Sequence, residues 1–237
     1  MSNQFFQFKQ FTVLQEKCAM KVTTDACIQG SWTPIKADVN RVLDIGTGTG
    51  LLSLMLAQRS GRIIIDAIEL DNYAAGEARE NVSRSPWADR ITVFGGDVRS
   101  YLLPHKYDLI ISNPPFFNDS LLGPHANENI AHHTLSLSYS ELLRVMLMHL
   151  EEGGYFSIML PAAEYDQWLK MANARQVFET NRLSVKHKRH AVAKRVVGLF
   201  CKKEISIVKN DELIIMDDGN RYSQDFTDLL SPFYLNL

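Results

Sequence analysis

Cysteine is scarce in this chain. Three occur in 237 residues, Cys18, Cys27 and Cys201, an odd count without a CxxC pair. That usage excludes a disulfide-stapled scaffold and points to free thiols in a reducing cytoplasm. No apolar run approaches the ~20 residues that cross a bilayer, and Met1-Ser2-Asn3-Gln4-Phe5-Phe6 lacks the charged-then-apolar layout of a secretion signal. Neither membrane insertion nor export is expected. Metal-ligand spacing is missing as well. His132 and His133 are adjacent and cannot easily face one ion, while His187 and His190 fall on opposite faces of a strand. No metal site is expected, and no internal repeat or low-complexity segment occurs.

Acid is absent from one stretch. Between Arg182 and Lys203 stand eight basic residues (Arg182, Lys186, Lys188, Arg189, Lys194, Arg195, Lys202, Lys203) and no Asp or Glu. Without those eight charges the net charge of −2 becomes −10. An acidic body with one concentrated basic segment suits contact with a polyanion. A pair of solvated strands with lysine-protected edges is the plainer alternative.

The composition that remains, 46% hydrophobic and 22% charged, is that of an ordinary globular protein. Its length fits one generous domain or a domain with a small extension. Apolar periodicity predicts strands at 41–45, 62–69, 91–94, 108–112 and 155–160, with two more at 182–190 and 194–203. Helices are expected at 26–32, 51–58, 73–83, 139–150 and 163–174, the first capped by Asp25. Gly153-Gly154 is expected to end the fourth of these helices. Residues ~2–20 read as an N-terminal strand or helix extension. Alternation of this kind predicts an α/β fold with a doubly wound, largely parallel sheet.

Two segments carry chemistry. The first is Asp44-Ile45-Gly46-Thr47-Gly48-Thr49-Gly50, which follows a strand and opens a helix, as a nucleotide-binding loop must. Its spacing is GxGxG, without the later close-packing glycine of a dinucleotide fold. Asp44 beside the loop would help a cationic, amino-acid-bearing ligand more than a pyrophosphate. Glu69, at the end of the next strand, is placed to accept both hydroxyl hydrogens of a ribose. Asp97 closes the third strand, where an adenine amino group could donate. The second segment is Asn113-Pro114-Pro115-Phe116, after the strand Tyr107–Ser112. Each proline fixes φ and removes an N–H, so the backbone presents acceptors only. Two acceptors beside an aromatic plate suit a planar group bearing an exocyclic NH2. A rigid turn is the alternative.

Together these residues resemble the motif series of class I S-adenosylmethionine-dependent methyltransferases, with a Rossmann-like sheet of seven strands. The Asn-Pro-Pro-Phe form is similar to that of the branch acting on exocyclic or amide nitrogens. More narrowly, the chain resembles the bacterial tRNA1(Val) (adenine(37)-N6)-methyltransferase family nearly end to end. Phe8-Lys9-Gln10-Phe11, Cys18 through Asp25, Ala131-His132-His133-Thr134-Leu135 and Phe233-Tyr234-Leu235 carry that likeness. It implies S-adenosyl-L-methionine as cofactor, tRNA as partner, a monomer, and an extension over 1–40 packed near the cofactor ahead of a methyltransferase domain over 41–237. It further implies cofactor contacts from Lys21, Thr23, Asp25, Asp44, Gly46, Thr47, Gly48, Gly50, Glu69, Leu70, Asp97, Val98 and Asn113. Asn113, Pro114, Pro115 and Phe116 would form the catalytic motif, and Lys186, Lys188, Arg189, Lys194, Arg195 and His132 would touch RNA. Phe116 stands in place of a tyrosine, and His132 where an arginine is common. Other planar amino groups stay open as substrates: guanine N2 of rRNA, adenine in DNA, or a protein glutamine amide. The last usually needs a helical domain ahead of the glycine loop, and only ~40 residues precede it here. A non-catalytic RNA-binding scaffold is the remaining option.

Overall fold

The computed structural model describes residues 4–114 and 137–237. Two short strands, β1 (Phe5–Gln7) and β2 (Thr12–Leu14), form an antiparallel hairpin ahead of helix α1 (Thr24–Trp32). Strand β3 (Arg41–Ile45), helix α2 (Leu51–Arg59), strand β4 (Ile64–Glu69), helix α3 (Asn72–Ser83) and strand β5 (Ile91–Gly95) then alternate. Strand β6 (Tyr107–Ser112) follows, then helix α4 (Tyr139–His149), strand β7 (Leu150–Pro161), helix α5 (Ala162–Asn173), strand β8 (Phe178–Lys186) and strand β9 (Arg195–Cys201). Strand β10 (Lys209–Ile214) and helix α6 (Gln224–Leu230) complete the described elements.

The main sheet has the order β10-β8-β9-β7-β6-β3-β4-β5. Only β9 runs against its neighbours. The α/β fold and the mostly parallel sheet are as expected, but among the described residues eight strands pair rather than seven. The eighth is β10, which lies parallel to β8 at the edge. Its sequence, Lys209-Asn210-Asp211-Glu212-Leu213-Ile214, is too polar to announce a strand. Along the central strands successive side chains alternate between two cores. Val42, Leu109 and Ile111 face the core shared with α1, α2, α3 and the hairpin, while Leu43 and Ile110 face the α4–α5 core. Both faces are thus covered, which accounts for the near-continuous apolar runs.

Two local expectations are corrected. Gly153 and Gly154 do not stop α4; the chain turns extended at Leu150 and both glycines lie inside β7. The β6–β7 register shifts there, between Tyr107 and Leu109. A Cβ on Gly154 would sit 3.0 Å from the Tyr107 and Asp108 carbonyl oxygens, so close strand approach explains that glycine. Asp25 does not cap α1 either. Helix α1 begins two residues earlier than expected, and the Thr23 hydroxyl accepts from the Ala26 N–H at 3.2 Å.

Candidate active site

Strands β3, β4, β5 and β6 end together. Ile45 is in register with Ile68 and Ser112, and Glu69 with Gly95. A cavity of about 380 Å³ opens at this carboxyl edge, where open α/β sheets bind ligands. Gly46, Thr47 and Gly48 line it from the loop after β3, Glu69 and Leu70 from the end of β4, Asp97 and Val98 from beyond β5, and Asn113 and Pro114 from beyond β6. Lys21 and its neighbours Lys17–Met20 close it from the N-terminal side.

The glycine loop is wound tightly. Gly46 and Gly48 hold φ of +71° and +56°, a region that favours glycine. Four of its N–H groups already have protein acceptors: Gly46 and Thr47 donate to the Ile68 carbonyl, Gly50 to Thr47, and Gly48 to Glu69 Oε2 at 2.9 Å. A loop so engaged is no pyrophosphate cradle, in keeping with its spacing. Glu69 is fixed at both oxygens, since Oε1 accepts from the Asp71 N–H at 3.0 Å. Each oxygen keeps a lone pair for a further donor, as recognition of a diol requires.

Asp44 sits behind this loop, fully buried, and does not line the cavity. Its Oδ2 accepts from the Thr47 hydroxyl at 2.6 Å and the Ser53 hydroxyl at 2.7 Å. Burial pushes its carboxyl up to about 6, against the pull of those hydroxyls. Gly50 also stands back from the cavity and serves as the left-handed N-cap of α2. Thr23 is occupied as the cap of α1. Asp25 turns away to pair with Arg195 at 2.9 Å, beside a separate cavity of about 150 Å³ that His187 and Lys194 also line.

Arg99 was not foreseen. Its guanidinium grips Asp97 through Nε and Nη2 at 2.9 and 2.7 Å and reaches Glu141 at 3.3 Å. That hydrogen bonding holds the Asp97 carboxyl below its usual range. Asp97 therefore enters the site as half of an ion pair, not as a free acceptor. The Asp97-Val98-Arg99 spacing is a signal that could have revealed it. Gln29 was likewise missed: buried on α1, it donates through Nε2 to the Ser112 carbonyl at 3.0 Å, fixing the strand end just before Asn113. Asn113 itself presents a buried Oδ1 with no hydrogen-bond partner among the described residues. Pro115, Phe116 and His132 lie outside the described residues.

The basic segment reaches the same edge of the sheet. Ser112 is in register with Ile158, Ile158 with Gly198, and Gly198 with Arg182. Lys186 stands four residues beyond that level, or ~13 Å higher, and β8 lies three strands from β6, or ~14 Å. The turn 187–194 is thus a basic wall beside the end of β6. Within it the charges differ in use. Lys186 pairs with Glu212 at 2.6 Å and Arg195 with Asp25, whereas Lys188, Arg189 and Lys194 form no ion pair among the described residues. Arg182 is taken by the buried Glu179 and lies over the Tyr165 ring.

Comparison with known proteins decides the family. The model of the methyltransferase small domain matches residues 33–194. The tRNA1(Val) (adenine(37)-N6)-methyltransferase of Dyadobacter fermentans is 44% identical over 236 residues, 98% of each chain. The protein of that name from Bacteroides thetaiotaomicron is 43% identical over the full length of both. The chain belongs to the tRNA1(Val) (adenine(37)-N6)-methyltransferase family. Solved structures agree on the fold. A predicted O-methyltransferase from Agrobacterium tumefaciens superposes with a TM-score of 0.69 at 17% identity, covering 90% of this chain and all of that one. A glycopeptide N-methyltransferase complexed with S-adenosyl-L-methionine gives 0.55 at 14% identity, covering 78% and 97%. The cofactor of this family member is S-adenosyl-L-methionine. Its chemistry fits the residues present: a carboxylate, Glu69, faces the cavity for a diol, apolar Leu70 and Val98 flank it, and the buried Asp44 carboxylate favours a cationic ligand nearby.

Proposed function

We propose that this protein transfers a methyl group from S-adenosyl-L-methionine to the exocyclic N6 of an adenine in tRNA, adenine 37 beside the anticodon of tRNA1(Val). One observation carries the reading: relatives of that name match at 43–44% identity from end to end. When bound, the cofactor supplies a methyl group on a sulfonium centre, a leaving group that needs neither a covalent nucleophile nor a metal. Lys21, Gly46, Thr47, Gly48, Glu69, Leu70, Asp97 and Val98 are the residues proposed to hold it, with Asp44 acting from behind the loop. The extension over residues 1–40 contributes the wall of that site, ahead of the methyltransferase domain.

The catalytic proposal rests on acceptors. Adenine N6 is a weak nucleophile because its lone pair is delocalised into the ring. Asn113 Oδ1, buried and without a partner among the described residues, and the Pro114 carbonyl would accept its two hydrogens and localise the lone pair. Phe116 would stack on the base and fix its plane. A base within a loop must leave its stack to reach this site, so the flanking phosphates need a hold elsewhere. Lys188, Arg189 and Lys194 are the best-supported candidates, being basic, at the same edge and without an ion pair among the described residues. We further propose a cytoplasmic monomer, which would elute at its chain mass of 26.9 kDa.

The test uses labelled cofactor with separated cellular tRNA, rRNA, DNA and protein, followed by digestion. Labelled N6-methyladenosine in the tRNA fraction alone is expected. Label in N2-methylguanosine or methylglutamine would overturn the assignment.

A further inference from the structure

The N-terminal wall of the cofactor cavity is held from α3. Three consecutive backbone N–H groups converge on one carboxylate: Glu77 Oε1 accepts from Glu16 at 2.7 Å and Lys17 at 2.9 Å, and Oε2 from Cys18 at 2.9 Å. Glu77 is 2% exposed, and no basic side chain pairs with it among the described residues. A buried carboxylate without a cation is costly unless donors surround it, and charge-assisted bonds to three amides answer that cost. One turn further along, Asn81 is 1% exposed. Its Oδ1 accepts from the Leu14 N–H at 2.7 Å, and its Nδ2 donates to the carbonyls of Leu14 and Thr49, each at 2.9 Å. Asn81 therefore ties the N-terminal segment to the glycine loop. The segment also folds on itself, since the Gln15 side chain accepts from the Val22 N–H at 2.8 Å. Closeness to the loop is evident at Gly48, where a Cβ would stand 3.4 Å from Cys18 Sγ.

We infer that Glu77 and Asn81 are positioning residues for the cofactor, holding residues 14–18 as a strap so that Lys17–Lys21 wall the cavity above the glycine loop. The inference rests on the reading that this cavity takes S-adenosyl-L-methionine. Neither side chain lines the cavity, so both act through the strap. The hairpin before it stays anchored independently, through Phe8 stacked on Phe11 and Phe11 edge-on to Trp87.

Two variants test this. Glu77→Gln keeps the volume but aims an NH2 at an N–H donor; Asn81→Ala cuts the link to Leu14 and Thr49. S-adenosyl-L-homocysteine affinity by calorimetry, methylation kinetics on tRNA and trypsin cleavage after Lys17 and Lys21 would be measured. Gly198→Ala, distant in β9, serves as a control for lost stability. We expect the homocysteine Kd and the cofactor KM to rise at least tenfold in both variants. The kcat at saturating cofactor should stay within threefold and strap cleavage should accelerate, while the control keeps its KM. Unchanged affinity despite faster cleavage would overturn the inference, as would a fall confined to kcat or an equal rise in KM in the control. Should Glu77→Gln fail to fold, Asn81→Ala decides alone. If the wild-type protein bound no cofactor, the reading of the cavity would fall first, an outcome distinct from the variants' behaviour.

Discussion

Asn113 and Asp44 are both buried acceptors near the cavity, yet they answer to different partners. Asn113 Oδ1 has no donor among the described residues. Asn113→Ala should lower turnover at least about a hundredfold, the order seen when one oriented polar group is removed from an active site. Affinity for S-adenosyl-L-homocysteine should stay within a few fold, which calorimetry can check. Asp44, by contrast, is poised near pH 6 by burial. Raised from 3.8, it makes the folded protein bind more protons than the unfolded chain between about pH 4 and 6. Its contribution to stability therefore declines as pH rises through that window and is flat above it. A cationic cofactor favours the ionised form, so affinity should fall as the pH drops from 7 to 5. Binding at pH 6 should release protons, seen as heats that vary with buffer. Asp44→Asn should abolish both effects.

At the scale of elements, β9 is shaped around one absent side chain. A Cβ on Gly198 would overlap the Tyr165 hydroxyl and press on the Phe200 ring. That hydroxyl donates to the buried Glu179, which also receives Arg182. Gly198→Ala should cost about 1–3 kcal/mol by overpacking, read as a lower urea midpoint, and Tyr165→Phe in the same chain should restore part of it. The turn between β8 and β9 makes a separate demand. Arg189 and Lys194, without an ion pair among the described residues, should each, when changed to Ala, weaken tRNA binding without altering cofactor affinity. The slope of log K against log salt should shrink by about one for each phosphate no longer neutralised.

Considering the whole molecule, the parallel sheet was legible because buried strands read as apolar runs between helical periods. The glycine loop, Glu69 and Asn113-Pro114 were legible because backbone geometry and acceptor chemistry restrict which residues can serve. Most of what escaped notice had long-range causes. Strand β10 is polar, so only its pairing with β8 makes it a strand. Gln29 looks like an ordinary helix residue until the fold sets it against Ser112, whereas Arg99, two residues from Asp97, was open to a local reading. Asp25 reads equally well as a cap, a cofactor contact or an ion-pair partner, and Arg195, 170 residues away, settles it. Such partners are chosen by topology, which no local pattern encodes.

The hairpin that precedes the strap is itself secured from far along the chain. Phe8 bridges to Tyr234, the Lys9 N–H donates to the Phe233 carbonyl, and Lys9 Nζ donates to the Ser231 carbonyl at 2.6 Å, across 222 positions. A ribosome working at about 5–20 residues per second needs roughly 10–45 s between those points. During that interval the hairpin lacks these C-terminal ties, whereas the strap can already reach Glu77 and Asn81. Docking of the hairpin should thus be completed after the strap is held, once residues 231–234 are free to pair with Phe8 and Lys9.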